Sequence, residues 1–261
     1  LARALNRAAR IVVIEPRGQL GQGLAYSTAD PSHRINVPAA RMTMDCGEKG
    51  GLQTWLDARG IALSPGSCLP TGGAFVQRRL VADYVGDKLA PYLASGQVRH
   101  LQARAQAARR EGRQFVIACD DGTDVLADMV VIATSHPPPG VPAALAALVG
   151  SPRLITDSSA AERVAAVARD AANVLVVGSG LTSADVIASL DRQGYAGRIT
   201  ALSRRGLRSR GHAFDYAESE ADFAAYPART ALALLSRIRR AVREDARAGL
   251  PWQAALDNVR Q

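Results

Sequence analysis

The stretch that most constrains this chain reads NVLVVGSGLTSAD. An apolar, strand-forming run over residues 174–177 is followed by Gly178 and Gly180 in a Gly-x-Gly turn. Residues that favour a helix come next, beginning at Thr182 or Ser183. A strand, turn and helix in this order place backbone N–H groups and a helix N-terminus around one anion, which suits a pyrophosphate. Ser183 stands where the complete fingerprint has a third glycine, so the match is to a relaxed form.

The residues after this motif extend the same prediction. An apolar helix over 184–190 leads to a second strand at Arg198–Leu202, which ends in Ser203, Arg204 and Arg205. In a dinucleotide fold the ribose is read at that strand end, and arginine there suits a 2′-phosphate better than a free hydroxyl. We therefore predict an NADP site, made by Gly178, Ser179, Gly180, Leu181, Thr182, Ser203, Arg204 and Arg205.

The start of the chain resembles half of a second such unit. Residues 1–9 are typical of the end of a helix, and residues 11–14 of a buried strand that closes on Glu15. A helix followed by a strand ending in an acid is the second half of a βαβ dinucleotide unit, in which the acid accepts a ribose hydroxyl. The alternative is an ordinary α/β unit with a surface glutamate. We expect the codons upstream of Leu1 to encode the missing strand and its glycine-rich turn.

Composition excludes several classes of protein. Hydrophobic residues make up 48% of the 261 residues, which indicates a globular chain of one large or two smaller domains. No apolar run approaches the roughly 20 residues that span a bilayer, and no secretory signal is visible. We therefore predict a cytoplasmic protein that does not associate with a membrane. The net charge of +8 comes mostly from dispersed arginines, and aromatics are only 5%, which disfavours nucleic acid as a partner.

Cysteine and histidine usage disfavours metal and dithiol chemistry. Cys46, Cys68 and Cys119 are far apart and form no Cys-x-x-Cys pair, and the four histidines have no close spacing. We predict no metal site and expect each cysteine to be a small buried or inert residue.

The rest of the chain is read as a succession of elements. An irregular glycine-rich loop over 17–45 is long enough to indicate function. A triple proline at 137–139 should stop regular structure and mark a crossing between domains. We predict helices at 52–58, 75–93, 161–169 and 229–248, strands at 98–103, 114–119, 125–126 and 129–133, and a hairpin turn at 120–122.

Three segments together resemble a known family. GQGLAYSTADPSHRINVPAARM, VVIATSHPPP and VLVVGSGLTSADVIASL with ITALSRRG are similar to bacterial FAD/NAD(P)-binding flavoproteins. These proteins are relatives of the class B flavin monooxygenases, of the N-hydroxylating and Baeyer–Villiger type. The resemblance covers most of residues 10–212.

The resemblance implies a set of FAD contacts. Glu15 would bind the adenosine ribose, and the loop that begins at Arg17 would pass the pyrophosphate and reach the isoalloxazine. The loop residues implied are Gly21, Gly23, Leu24, Ala25 and Tyr26, and those near the ring are Asn36, Pro38, Arg41, Met42 and Thr43. Ala133 and Thr134 match the family's Ala-Thr-Gly strand end beside FAD, with Ser135 in place of the glycine.

Four further polar residues have weaker claims. Asp45 closes the glycine-rich loop over 17–45, called the flavin loop below, and could tune the flavin, although a turn role is the commoner one for such a residue. His136 could line the site or serve a turn, and His33 more often faces solvent. Asp185, early in its helix, is predicted to complement the helix dipole.

We expect an α/β fold with two Rossmann-like dinucleotide-binding domains on three-layer parallel sheets. Residues 1–140 would form the FAD-binding domain, 141–212 the NAD(P)H-binding unit and 213–261 a helical segment. The family's first Gly-x-Gly-x-x-Gly and its returning FAD segment are not found in this sequence. We therefore interpret the chain as an internal fragment or a truncated gene product, and expect it to bind FAD poorly.

Three functions remain open on the sequence. The first is an NAD(P)H-dependent flavoprotein oxidoreductase, either a monooxygenase or a reductase, which passes hydride from NADPH to the flavin and acts on a small molecule. The second is a single-nucleotide NAD(P) dehydrogenase that uses only the second unit. The third is a non-catalytic remnant that binds nucleotide weakly. Two nucleotide signatures in one chain favour the first, and the absent first glycine turn favours the third. The oligomeric state is not indicated.

Overall fold

The structure, a computed structural model, describes residues 9–45, 47–48, 50–64, 66–69, 73–134, 136–137, 139–209, 211 and 216–259. The fold is mixed α/β, with parallel strand pairs and one antiparallel sheet. The helix predicted over 1–9 lies almost wholly outside the described residues. Within them, no helix is both long and apolar enough to cross a membrane.

Seven strands are present in the described residues. They are β1 (Ile11–Ile14), β2 (Val98–Leu101), β3 (Ala105–Glu111), β4 (Gln114–Cys119), β5 (Asp124–Ala127), β6 (Asn173–Val177) and β7 (Arg198–Leu202).

Seven α-helices accompany these strands in the same residues, together with two short 3-10 turns. The helices are α1 (Gly23–Tyr26), α2 (Gly51–Ala58), α3 (Arg78–Ala94), α4 (Ala161–Asp170), α5 (Leu181–Arg192), α6 (Ala231–Arg247) and α7 (Trp252–Val259).

The first parallel pair joins distant parts of the chain. β1 runs beside β2 with Ile11 opposite Val98 and Ile14 opposite Leu101. The antiparallel sheet follows in the order β3-β4-β5, and its β4–β5 turn contains Gly122 with φ of 83°. This confirms the predicted hairpin, because a positive φ is what a glycine at that turn supplies. A small core of Ala103, Ile117, Cys119 and Val125 holds the antiparallel sheet against β1.

The second parallel pair confirms the nucleotide motif as a structural unit. β6 pairs with β7 from Asn173 opposite Arg198 to Val177 opposite Leu202, and α5 connects them. A strand, helix and parallel strand in this order form the βαβ arrangement that the glycine turn predicts. One face of the pair remains open, since Leu175 and Leu202 are more than half exposed.

The long loop after Glu15 packs into the largest core of the described residues. Ile35 and Ala39 of this loop are buried with Leu52 and Leu56 of α2 and with Tyr84 of α3. Backbone hydrogen bonds join Ile35 N–H to Val76 O and Ala39 N–H to Ala74 O. The loop is therefore fixed by burial and by backbone pairing, although it has almost no regular structure.

One strand prediction is wrong. Residues 129–133 form no strand, and the side chains of Met129, Val131 and Ile132 are 73%, 61% and 83% exposed. A strand needs a neighbour for its backbone N–H and C=O groups, and no described segment pairs with this one. Only Val130 of this stretch packs against the small core beside Val12 and Ile14.

Other departures are smaller. The helix predicted from 75 begins at Arg78, because Gln77 forms a bridge with Arg34 and holds the chain extended there. β3 was not predicted, since its alanines, arginines and glutamate are poor strand formers; it forms by pairing with β4. α7 lies in the segment 213–261 that is expected to be helical, although no separate helix is predicted there. Cys119 is buried as expected, whereas Cys68 is exposed.

Candidate dinucleotide site and flavin loop

The Gly-x-Gly turn lies at the carboxyl end of β6 and opens α5. Gly178 has φ of 113°, and its N–H donates to Leu202 O at 2.7 Å, so the turn is tied to the end of β7. Gly180 caps α5 without a side-chain hydrogen bond, and a Cβ added at Gly178 or Gly180 would meet nothing within 4 Å. The turn therefore presents open backbone at a helix N-terminus, which is what a phosphate needs.

The remaining residues of the predicted NADP site surround this turn. Leu181 and Thr182 are exposed in the first turn of α5. Ser183 Oγ donates to Gly180 O at 2.6 Å, which accommodates a serine at the third fingerprint position. Ser203 Oγ donates to Leu207 O, so the strand end turns sharply. Arg204 and Arg205 follow this bend as exposed cations and form no ion pair with the described residues.

Glu15 lies directly after β1, as predicted. Its Oε1 accepts hydrogen bonds from the backbone N–H of Arg17 at 3.0 Å and from Arg17 Nη1 at 2.9 Å. The side chain of Glu15 is 22% exposed, and neither of these bonds uses its second carboxylate oxygen. The acid is thus oriented by Arg17 and can still accept from a ribose hydroxyl.

The residues implied to follow the pyrophosphate form a single helical turn. Gly23, Leu24, Ala25 and Tyr26 make up α1, in which Leu24 is 44% exposed and Tyr26 packs on the large core. Gly21 has φ of 85°, and a Cβ there would collide with the side chain of Val85 in α3. Gly21 therefore allows the loop to approach α3, whereas Gly23 faces open space.

The residues implied to lie near the flavin ring are mostly engaged with the protein. Asn36 is exposed, and Pro38 is buried. Arg41 Nη1 donates to Asp257 Oδ2 of α7 at 2.6 Å, and Met42 packs on the large core. Thr43 Oγ1 donates to Asp45 O, and Asp45 Oδ1 accepts from Gly47 N–H, so Asp45 is a turn residue.

The last implied FAD contacts lie on the segment that fails to form a strand. Ala133, Thr134 and His136 are all exposed, and Ser135 lies outside the described residues. The positions of Ala133 and Thr134 beside FAD, and of His136 in the lining of the site, remain predictions.

A polar interface joins α5 to the flavin loop, and sequence reasoning missed it. Ser189 Oγ donates to Asp30 Oδ2 at 2.7 Å and lies 3.0 Å from His33 Nε2. Arg192 Nε donates to Asp30 Oδ1 at 3.2 Å and to Ser32 Oγ at 3.1 Å. His33, expected to face solvent, is instead part of this contact.

The pKa of Asp30 records how strongly this interface holds the carboxylate. Burial opposes its ionisation, but hydrogen bonds from Ser32 N–H, Ser189, Arg192 and the Ser32 side chain outweigh burial. They lower the pKa from 3.8 to about 2. Asp30 is therefore charged at neutral pH, with 11% of its side chain exposed.

A second contact links α5 to α3. Arg78 Nη2 donates to Asp185 Oδ2 at 2.7 Å, with side chains 21% and 15% exposed. Burial raises the pKa of Asp185, and the charge of Arg78 opposes that rise. The prediction that Asp185 serves the helix dipole missed this partner. The available signal was the spacing of Asp185, Ser189 and Arg192, which places three polar groups on one helical stripe.

The residues of the two candidate sites fit the cofactors that the sequence predicts, NADP(H) and FAD. The open turn at Gly178 and Gly180, with two exposed arginines after β7, matches a dinucleotide with a 2′-phosphate. Glu15 after β1 and the ordered loop over 17–45 match an adenosine ribose and a flavin. Within the described residues, no cluster of three or more histidine, cysteine or acidic side chains could hold a metal ion.

The fold and the site thus define an α/β protein that binds dinucleotides. Comparison with protein families gives two matches: the FAD-NAD(P)-binding family over residues 1–137, and the L-lysine 6-monooxygenase/L-ornithine 5-monooxygenase family over residues 85–217. No curated protein matches the chain significantly.

Each family match covers more than half of the chain, so its membership is established. The chain belongs to the FAD/NAD(P)-binding flavoproteins related to the class B flavin monooxygenases. Its cofactors are FAD and NADP(H), and it is a flavin-dependent oxidoreductase of the monooxygenase type.

Proposed function

We propose that the protein passes reducing equivalents from NADPH to FAD and from the flavin to oxygen or another acceptor, with a small molecule as substrate. The observation that carries this proposal is the joined pair of sites. The nucleotide turn opens α5, and the same helix contacts the flavin loop through Asp30 and Ser189. The chemistry that the bound cofactors supply is hydride transfer to the flavin followed by electron transfer to the acceptor.

At the nucleotide site the protein's task is to bind and orient. Backbone N–H groups from Gly178 to Thr182 would hold the pyrophosphate, with the partial positive charge of the α5 N-terminus behind them. Arg204 and Arg205 would hold the 2′-phosphate through charge-assisted hydrogen bonds. Gly180 keeps this surface flat enough for the phosphate to approach the backbone.

On the flavin side the protein supplies a fixed surface. Glu15 would accept from the adenosine ribose, α1 would lie along the pyrophosphate, and Asn36 to Thr43 would border the ring. The burial of Ile35 and Ala39 in the large core holds the loop in place. We propose residues 1–140 as the FAD-binding domain, 141–212 as the NAD(P)H-binding unit and 213–261 as a helical segment.

Anaerobic mixing of the protein with NADPH tests this proposal, with FAD added at a concentration high enough to offset the weak FAD binding expected of this chain. We expect the visible absorbance of bound flavin to disappear when NADPH is added. The double variant Arg204→Ala/Arg205→Ala should slow the change at limiting NADPH, whereas Arg198→Ala should not. Arg198 is a matched control, since it carries the same charge at the start of β7, roughly 13 Å from the other end of the strand at 3.3 Å per residue.

The outcomes separate the three functions that the sequence leaves open. Bound flavin that NADPH does not reduce would contradict the proposal. Oxidation of an alcohol by NADP⁺ in the absence of flavin would favour a single-nucleotide dehydrogenase. Binding of neither cofactor would favour a remnant.

A further inference from the structure

One helix, α5, follows the nucleotide turn and also contacts the flavin loop, and two of its polar side chains, Asp185 and Ser189, are shielded from solvent. Asp185, Ser189 and Arg192 of α5 lie one and two turns apart, on the same side of the helix. Ser189 is 3% exposed, and the side chain of Asp185 is 15% exposed. Ser189 is thus buried against the flavin loop and Asp185 is largely shielded beside Arg78, and the N-terminus of the same helix carries the nucleotide turn.

The hydrogen bonds on this side of α5 have fixed directions. Ser189 has one hydroxyl proton, and Asp30 can only accept, so the Ser189 hydroxyl donates to Asp30 at 2.7 Å. His33 Nε2 must then donate to Ser189 Oγ at 3.0 Å, and in the neutral ring Nδ1 accepts from the Thr28 hydroxyl at 2.8 Å. The four side chains form a single chain of hydrogen bonds that runs from the loop through Ser189 of the helix and back to the loop.

Little space remains between the helix and the loop at this point. A cavity of about 20 Å³ lies among Asp30, His33, Val164 and Ser189. It has room for one water molecule and is too small for a ligand. The contact is therefore closed, and movement of α5 must be transmitted to the loop or break these bonds.

Arg78 connects the helix to the part of the loop implied to border the flavin. Its guanidinium donates from Nη2 to Asp185 Oδ2 at 2.7 Å and to Asn36 Oδ1 at 3.4 Å. Its Nε donates to Arg34 O at 2.9 Å. One planar side chain thus holds the nucleotide helix, the loop backbone and Asn36 together, a geometry that a lysine ammonium cannot reproduce.

We propose that Arg78 is a positioning residue that couples nucleotide binding at α5 to the position of Asn36 and the loop around it. The inference rests on the proposed function, because it needs NADP(H) at Gly178 to Thr182. Nucleotide that orders the first turn of α5 restrains Asp185 four residues further on, and Arg78 passes that restraint to Arg34 and Asn36. Coupling of this kind is reciprocal, so flavin binding must strengthen nucleotide binding by the same factor.

Hydrogen exchange on the whole chain, with and without saturating NADP⁺, tests this coupling. In the wild type, we expect NADP⁺ to slow exchange of the amides over 33–37 by about fivefold or more. Peptides from β3 and β4 should not respond, since they contact neither α5 nor the loop. Calorimetric titration with NADP⁺, made separately, establishes that each variant is saturated.

Three substitutions decide whether Arg78 carries the effect. Arg78→Gln and Asp185→Asn should each abolish the nucleotide-dependent slowing, and the double variant should lose no more than either one. Arg79→Gln is the matched control, because Arg79 is the next residue, is exposed, and should keep the wild-type response. A purely structural role would change exchange equally with and without nucleotide.

The results distinguish this inference from the function on which it rests. NADP⁺ that binds the wild type without slowing exchange at 33–37 overturns the coupling and leaves the proposed function standing. Wild-type slowing that persists in Arg78→Gln also overturns it. Failure of NADP⁺ to bind at all would contradict both the coupling and the proposed function. Should Arg78→Gln not fold, Arg78→Lys decides, since full coupling in that variant contradicts the role of the guanidinium fork.

Discussion

The hydroxyl of Ser189 donates a 2.7 Å hydrogen bond to the carboxylate of Asp30, although the two residues are 159 positions apart. The bond joins the third turn of the nucleotide helix to the flavin loop. Both groups are shielded from water, with Ser189 at 3% exposure and the Asp30 side chain at 11%. An acid held so firmly makes the fold sensitive to pH.

Asp30 should contribute stability that disappears in acid. Its pKa in the folded protein is about 2, below the ordinary 3.8, so the folded state binds its proton less readily than the unfolded state. The contribution is therefore complete above about pH 4 and is lost as pH falls towards about 2, and its size is about 2 kcal/mol. Urea unfolding of Asp30→Asn and the wild type, at neutral and acid pH, measures the difference.

The control for Asp30 is an exposed acid elsewhere. Asp170, at the end of α4, is exposed, and Asp170→Asn should unfold like the wild type at every pH. We expect Asp30→Asn to be less stable than the wild type at neutral pH and equal to it in strong acid. A constant difference across the pH range would contradict the assignment.

The two glycines of the nucleotide turn should respond differently to alanine. Gly178 has φ of 113°, so Gly178→Ala should cost about 1–2 kcal/mol of stability through backbone strain. Gly180 has φ of −84° and open space around it, so Gly180→Ala should fold normally. Its methyl group would nevertheless stand where the phosphate approaches, and NADP⁺ affinity should fall. Thermal unfolding and NADP⁺ titration of both variants separate the two effects; equal stability would contradict the strain at Gly178.

Cofactor choice should depend on the two arginines after β7. An arginine gives a phosphate charge-assisted hydrogen bonds worth roughly 1.5–3 kcal/mol each, so Arg204→Ala or Arg205→Ala should weaken NADPH by about tenfold or more. NADH binding should barely change, since it has no 2′-phosphate. The measurement is the ratio of kcat/KM for the two cofactors in flavin-loaded protein. A ratio untouched by both substitutions places the selection elsewhere.

Gly51 should tolerate no side chain. A Cβ there would lie 2.5 Å from Tyr84 Oη and 2.9 Å from Thr43 Oγ1. Tyr84 is 2% exposed and cannot move aside, so Gly51→Ala should destabilise the protein by about 1–3 kcal/mol. Gly18→Ala is the control, because a Cβ at Gly18 meets nothing within 4 Å. Equal urea midpoints for the two variants would show that the core around Tyr84 yields.

Local sequence signals predicted the local structure well. The bounds of β7 and β4 agree with the predicted strands, and α5 begins one residue before the first predicted start. These elements are indicated by the periodicity of their side chains and by nearby glycines, Gly122 and Gly178, whose positive φ other residues rarely adopt. Partnership across the chain could not be predicted in the same way. The Arg78–Asp185 pair spans 107 positions, and nothing local to Arg78 distinguishes it from the exposed Arg79.

The absence of a strand at residues 129–133 also shows that local sequence does not determine which segments pair. Residues 129–133 are as apolar as a buried strand, yet Ile132 is 83% exposed. Hydrophobicity predicts that a segment can be buried, whereas burial requires a neighbour to pair with and a face to cover it. β3 shows the reverse, since pairing with β4 makes a strand of residues with little intrinsic preference for one.

The stripe of Asp185, Ser189 and Arg192 also limits how this protein can be recombined. A nucleotide unit taken from another flavoprotein could supply the glycine turn and the arginines, and still fail to dock. It would need an acid, a hydroxyl and a guanidinium at those three places, to meet Arg78, His33 and Asp30. A chimera that keeps the host's three side chains on an imported helix should therefore fold as one piece, and one that omits them should behave as two unconnected modules.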